Sequence, residues 1–125
     1  KSEAVKEEES ALAEKVAQLL GDRVESVKIS ERLTDSASCL VRSEHALSGH
    51  FEKLLKEAGH DVPEMKPWLE INPDHHLLKA LEGSSDEREQ QDLALLIYEE
   101  AQLLEGARLE NPAEFVARIN RLMGR

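Results

Sequence analysis

A chain of 125 residues is the size of one domain, long enough to bury about two thirds of the surface it exposes when unfolded. Hydrophobic residues make up 40% and aromatic residues only 3%, so the core must come from Leu, Val, Ile and Ala, while 34% charged residues supply a solvated surface. Lys and Arg number 16 against 26 Asp and Glu, and the resulting net charge of −10 disfavours phosphate backbones and anionic lipid, so neither nucleic acid nor a membrane is expected as a partner.

Val5, Leu12, Val16 and Leu19 keep helical spacing and predict a first helix over 4–20, stopped by Gly21. Val27 and Ile29 share one face of an extended segment over 24–30, and Cys39-Leu40-Val41 is a second β-rich run, with the loop 31–37 suggesting an antiparallel pair. Ser43 can cap a second helix through Ala58, with Leu47, Phe51, Leu54, Leu55 and Ala58 on one stripe and Gly59 at its end. Residues 61–66 form a loop, and Pro67 to Ile71 reads as a third, edge-type strand or an extended link. Asn72-Pro73-Asp74 predicts a cap and a helix over 73–82. Ser84-Ser85-Asp86-Glu87 has capping-box spacing before a helix carrying Leu93, Leu96, Ile97, Ala101 and Leu104. Asn111-Pro112 opens the last helix, with Phe115, Val116, Ile119, Leu122 and Met123 inward.

The expected fold is therefore α+β in one domain over 1–125: about five helices with a small two- or three-stranded antiparallel sheet. About four residues join the last two helices, which must lie antiparallel. With Leu95, Tyr98 and Leu103 off the stripe, that hairpin carries more apolar surface than a two-helix contact consumes. Docking on a second copy would make a four-helix bundle, a homodimer held mainly by Leu93, Leu96, Ile97, Leu104, Ile119 and Leu122.

Candidate chemistry is sparse. His75 and His76 open a helix, where adjacent side chains diverge by about 100°, so the two rings are poorly placed to share a metal. An acidic helical metal-binding or enzymatic domain built on this pair is the alternative reading. Cys39, the single cysteine, sits among apolar neighbours and is expected as a small buried hydrophobe in a reducing compartment. No Gly-rich phosphate loop occurs, and neither a catalytic residue, a metal site nor a bound cofactor is expected here. The stripe of Leu47, Phe51, Leu54 and Leu55 suits either a core face or a binding surface. No apolar run reaches the roughly 18 residues of a membrane span, and the acidic start Lys1 to Glu9 is unlike a signal peptide. The start at Lys1, in mid-pattern and without Met, suggests a piece of a longer protein.

Three ordered strings carry a family resemblance: Leu69-Glu70-Ile71-Asn72-Pro73-Asp74-His75; Arg32-Leu33-Thr34-Asp35-Ser36 with Cys39-Leu40-Val41; and Leu103-Leu104-Glu105-Gly106 followed by Asn111-Pro112 and Phe115-Val116-Ala117-Arg118-Ile119-Asn120-Arg121-Leu122. The chain resembles, over nearly its whole length, the C-terminal dimerisation domain of the heat shock protein 90 chaperone family in its bacterial form, high-temperature protein G. It departs from the common pattern at Ala37, where the family usually has Pro. The acidic co-chaperone-binding tail of eukaryotic members does not follow Met123. The resemblance implies a homodimerisation module of an ATP-dependent, cytoplasmic, stress-response chaperone, with ATP and Mg²⁺ handled in a separate N-terminal domain. It also implies that the second helix, through Leu47, Phe51, Leu54 and Leu55, is exposed to unfolded client proteins.

Overall fold

The computed structural model describes residues 2–42, 49–60 and 66–124. Along the chain run α1 (Glu3–Leu20), a 3-10 turn (Gly21–Arg23), β1 (Val27–Ile29), β2 (Ser38–Val41), α2 (Gly49–Glu57), β3 (Trp68–Ile71), α3 (His76–Gly83), α4 (Glu87–Leu104) and α5 (Pro112–Met123). The architecture is α+β, with five helices and a three-stranded sheet among the described residues.

The sheet corrects two expectations. Its order is β1-β3-β2, with β3 parallel to β1 and antiparallel to β2, so it is mixed, and the strand read as an edge lies at its centre. The reason lies in the alternation of β3. Leu69 and Ile71 are fully buried on one face, and that face must be flanked on both sides to be shielded. Pro67 precedes the strand, so it removes no ladder donor from it, and its carbonyl accepts from Glu25 N at 2.8 Å. The other face is polar: Lys28 lies 4.6 Å from the Trp68 ring centroid, and Arg32 pairs with Glu70 at 3.3 Å. Cys39 is the register partner of Glu70 and so belongs to this polar face. It is half-buried, with Arg32 Nη2 3.7 Å from its sulfur, and not the buried hydrophobe expected.

Leu12, Ala13, Val16 and Leu20 of α1, Leu78 and Leu81 of α3, and Leu93, Ala94, Ile97 and Ala101 of α4 complete the core around Leu69 and Ile71. The long helix α4 touches α1, α3, α5 and β2, which makes it the central support. The buried Ser38 donates from Oγ to the Ile97 carbonyl at 2.8 Å, satisfying its hydroxyl while tying β2 to α4.

Helix starts differ locally from expectation. Asn72 does not cap a helix. Its Oδ1 accepts from Asp74 N at 3.1 Å, and its Nδ2 lies 3.3 Å from the carbonyls of both Thr34 and Ser36, so it clamps the β1–β2 connection onto β3. α3 begins later, with His75 as its cap. α4 is capped by Asp86, whose Oδ1 accepts from Arg88 N and Glu89 N, rather than by Ser84. Gly21 ends α1 at φ 60°, a left-handed conformation that a side chain would strain.

Candidate functional site

α2 carries the face read from the sequence as core or binding surface. It spans Gly49–Glu57 rather than 43–58, and Ser43 and Leu47 lie outside the described residues. Phe51, Leu54 and Leu55 follow the helical i, i+3, i+4 pattern and share one side. Phe51 is 47% and Leu54 48% exposed, while Leu55 is half-buried beneath them. Among the described residues α2 is not one of the elements packed closely on another. The helix ends at Gly59, φ 87°, where His60 N donates back to the Leu55 carbonyl at 2.9 Å. Two large apolar side chains half in water identify this side of α2 as a surface, not a core face.

The six residues expected to hold a second copy divide. Leu93 is 1% and Ile97 0% exposed inside their own chain, so neither has surface left for another protein. Both were consumed by α1, α3 and the sheet, partners that the α4–α5 hairpin taken alone does not reveal. Leu96, Ile119 and Leu122 are half-buried, and Leu104 is exposed; these four could still meet another protein. Leu95 and Tyr98, off the stripe, pack on the core, whereas Leu103 is exposed.

What joins α5 to α4 is largely charge, which the hydrophobic pattern did not reveal. The buried Arg118 donates from Nη1 to both oxygens of Glu99, at 2.7 and 2.9 Å. Arg121 makes a two-pronged pair with Asp92, Nε to Oδ2 at 3.0 Å and Nη2 to Oδ1 at 2.9 Å, and also reaches Glu114 at 3.1 Å. Hydrogen bonding from Arg121 holds the Asp92 carboxyl below its usual range against the opposing cost of burial. Glu99 goes the other way, since burial raises it more than Arg118 lowers it. A signal was present: Asp92 and Glu99 stand seven apart on α4, facing Arg118 and Arg121 on α5. Beside the seam opens a cleft of about 650 Å³ lined by Lys15, Arg88, Arg118 and Arg121 together with Glu87, Asp92 and Glu114, a nearly balanced wall that favours neither sign of ligand.

His75 and His76 stack with ring centroids 4.3 Å apart and planes inclined by 26°. They meet because His75 is the extended cap residue and only His76 is helical, so the helical divergence does not apply. Among the described residues, no group of three or more His, Cys, Asp and Glu is placed to hold a metal ion. His60 is exposed, and His45 lies outside the described residues. For a nucleotide phosphate, the glycines with positive φ, Gly21, Gly59 and Gly106, all follow helix C-termini, whose carbonyl ends repel anions.

The family model described as Hsp90 protein matches residues 1–125. The chain is similar to the chaperone protein HtpG of Chromobacterium violaceum, 49% identical over 119 residues, covering 95% of this chain and 19% of that protein. It is similar also to that of Nitrosococcus oceani, 47% identical over 119 residues with the same 95% and 19% coverage. The Psychrobacter arcticus protein is 46% identical over 126 residues, covering 98% of this chain and 19% of its own length. The chain therefore spans about a fifth of the length of the curated relatives it matches. That fraction corrects the expectation of a C-terminal homodimerisation module with ATP handled in a separate N-terminal domain: the matches give these residues a family, and neither a dimer nor a division of labour between domains comes with them. With Leu93 and Ile97 buried in their own core, only Leu96, Leu104, Ile119 and Leu122 of the six expected residues keep surface for a contact between copies. Matched along its whole length by the family's model, the chain belongs to the Hsp90 protein family of chaperones.

Proposed function

We propose that this chain serves an Hsp90-type chaperone by holding partly folded proteins against the apolar side of α2, with Phe51 and Leu54 as the contact residues and Leu55 as their support. Leu47, on the same stripe in the sequence, is proposed as a further contact. The observation that carries this reading is the half exposure of Phe51 and Leu54 on one side of a helix that is not packed closely on the rest of the described chain. Each such side chain contributes about 1.5–3 kcal/mol when buried, before ordering costs, and apolar contact is tolerant of partner shape. Weak, unselective holding follows. At the level of the whole protein, the proposal includes a cytoplasmic bacterial homodimer that uses ATP and Mg²⁺.

The test is suppression of aggregation. A thermally unfolding enzyme such as malate dehydrogenase is mixed with the chain and followed by light scattering, alongside the double variant Phe51→Ser, Leu54→Ser. The proposal expects protection by the unaltered chain and its loss in the variant. Equal protection by both, at equal folded content, would show that α2 holds nothing.

A further inference from the structure

We propose that His75 is a pH-operated latch on the first turn of α3: neutral, it fastens the turn through the lone pair of Nδ1, and protonated, it lets the turn go.

The cap itself fixes the protonation state. Nδ1 of His75 accepts a hydrogen bond from Leu77 N at 3.1 Å, and only an unprotonated ring nitrogen accepts. The ring proton must then sit on Nε2. The usual capping residues, Ser, Thr, Asp and Asn, keep their acceptor across the physiological range, whereas histidine loses its acceptor on charging. His76 stacks on the ring at 4.3 Å, Asp74 precedes His75 in the chain, and Asp35 of the β1–β2 connection and Glu100 of α4 are the other ionisable groups of its groove. Asp35, Glu100 and His75 line one groove of about 410 Å³ with Ser36, Leu103 and Leu104. Protonation therefore acts twice, removing the cap and setting a cation against the other ring.

The direction of titration agrees with this geometry. Burial, helped by His76, holds His75 below the ordinary histidine value of 6.5. A depressed histidine lends stability that is fully present above that ordinary value and is lost as pH falls through the lowered one. Glu100 responds oppositely: burial raises it, with His76 opposing, so acidification relieves a buried carboxylate. The two effects act in opposite directions on global stability, so the latch is read locally, at the Leu77 amide.

The experiment uses the whole 125-residue chain. Nitrogen-15 NMR of the imidazoles reports the tautomer and midpoint of His75, and hydrogen exchange of Leu77 is followed between about pH 7.5 and 5 after correction for intrinsic rates. The expected result is an Nε2–H tautomer, a midpoint below 6.5, and roughly fivefold loss of Leu77 protection on acidification, the scale of one lost cap. His75→Asn keeps an acceptor that does not titrate and should hold Leu77 protection flat with pH. An Nδ1–H tautomer, a midpoint at or above 6.5, or the same acid-induced loss in His75→Asn each overturns the proposal. The tautomer of the unaltered protein decides the matter even where the variant folds poorly.

Discussion

Replacing Arg118 by Ala tests how far α5 depends on charge for its seat on α4. The Arg118 side chain is 7% exposed, its partner Glu99 14% and the neighbouring Asp92 9%, so these charges lie in a poorly hydrated setting. Breaking such a pair from one side costs about 3–5 kcal/mol, because the abandoned charge keeps its desolvation penalty. Asp92 retains Arg121, which places the expected loss at the low end, about 3 kcal/mol. Apolar contact from α5 is partial: Leu122 packs on the core and Phe115 and Ile119 are half-buried, but Val116 and Met123 are exposed. The assay is urea denaturation near pH 7.5 and near pH 5. Glu99 already stands above its ordinary range through burial. A raised carboxyl contributes stability at low pH that is lost as pH climbs through its folded value, and removing Arg118 raises it further. The deficit of the variant should therefore be smaller at the lower pH, in the direction of Glu99 protonation. A loss below about 1 kcal/mol that is identical at the two pH values would place Arg118 with ordinary surface ion pairs and refute the reasoning.

Ile97→Ala should cost about 2–5 kcal/mol as a core truncation, and the loss should be independent of protein concentration in thermal melts, unlike the loss from a weakened contact between copies. Asn72→Ala should cost about 1–3 kcal/mol by leaving the carbonyls of Thr34 and Ser36 without their donor, and amide exchange should accelerate in the β1–β2 connection ahead of α4. Phe51→Ser with Leu54→Ser should move stability by no more than about 0.5 kcal/mol per site, as judged by calorimetric melting.

The helices were legible because each carried its own punctuation. Asn111 caps as its residue type suggests, and Gly21 and Gly59 stop α1 and α2 in left-handed turns. Strand order was not legible, because Val27, Leu40 and Leu69 have the same local pattern whichever neighbour they pair with. The order is settled by burial of Leu69 and Ile71 in the core they share with residues of α1, α3 and α4, a property of elements far apart in sequence. Leu93 and Ile97 were misassigned for the same reason. A helical stripe states that a face is buried and is silent on what covers it. The apolar side of α2 was legible as a stripe, while its exposure depended on what α2 fails to pack against. Asp86 and His75 took capping roles offered by Ser84 and Asn72, the latter because its amide was engaged in clamping the 31–37 connection.

The register of β2 and β3 sets Val41 directly opposite Trp68. Between these two partners in the chain lies α2, which is not part of the sheet. Among the described residues, none of the buried apolar residues of the core falls on α2. Sequence drift on α2 is therefore nearly decoupled from the described core, so the surface this helix presents could be rewritten while the scaffold keeps the same hydrophobic interior.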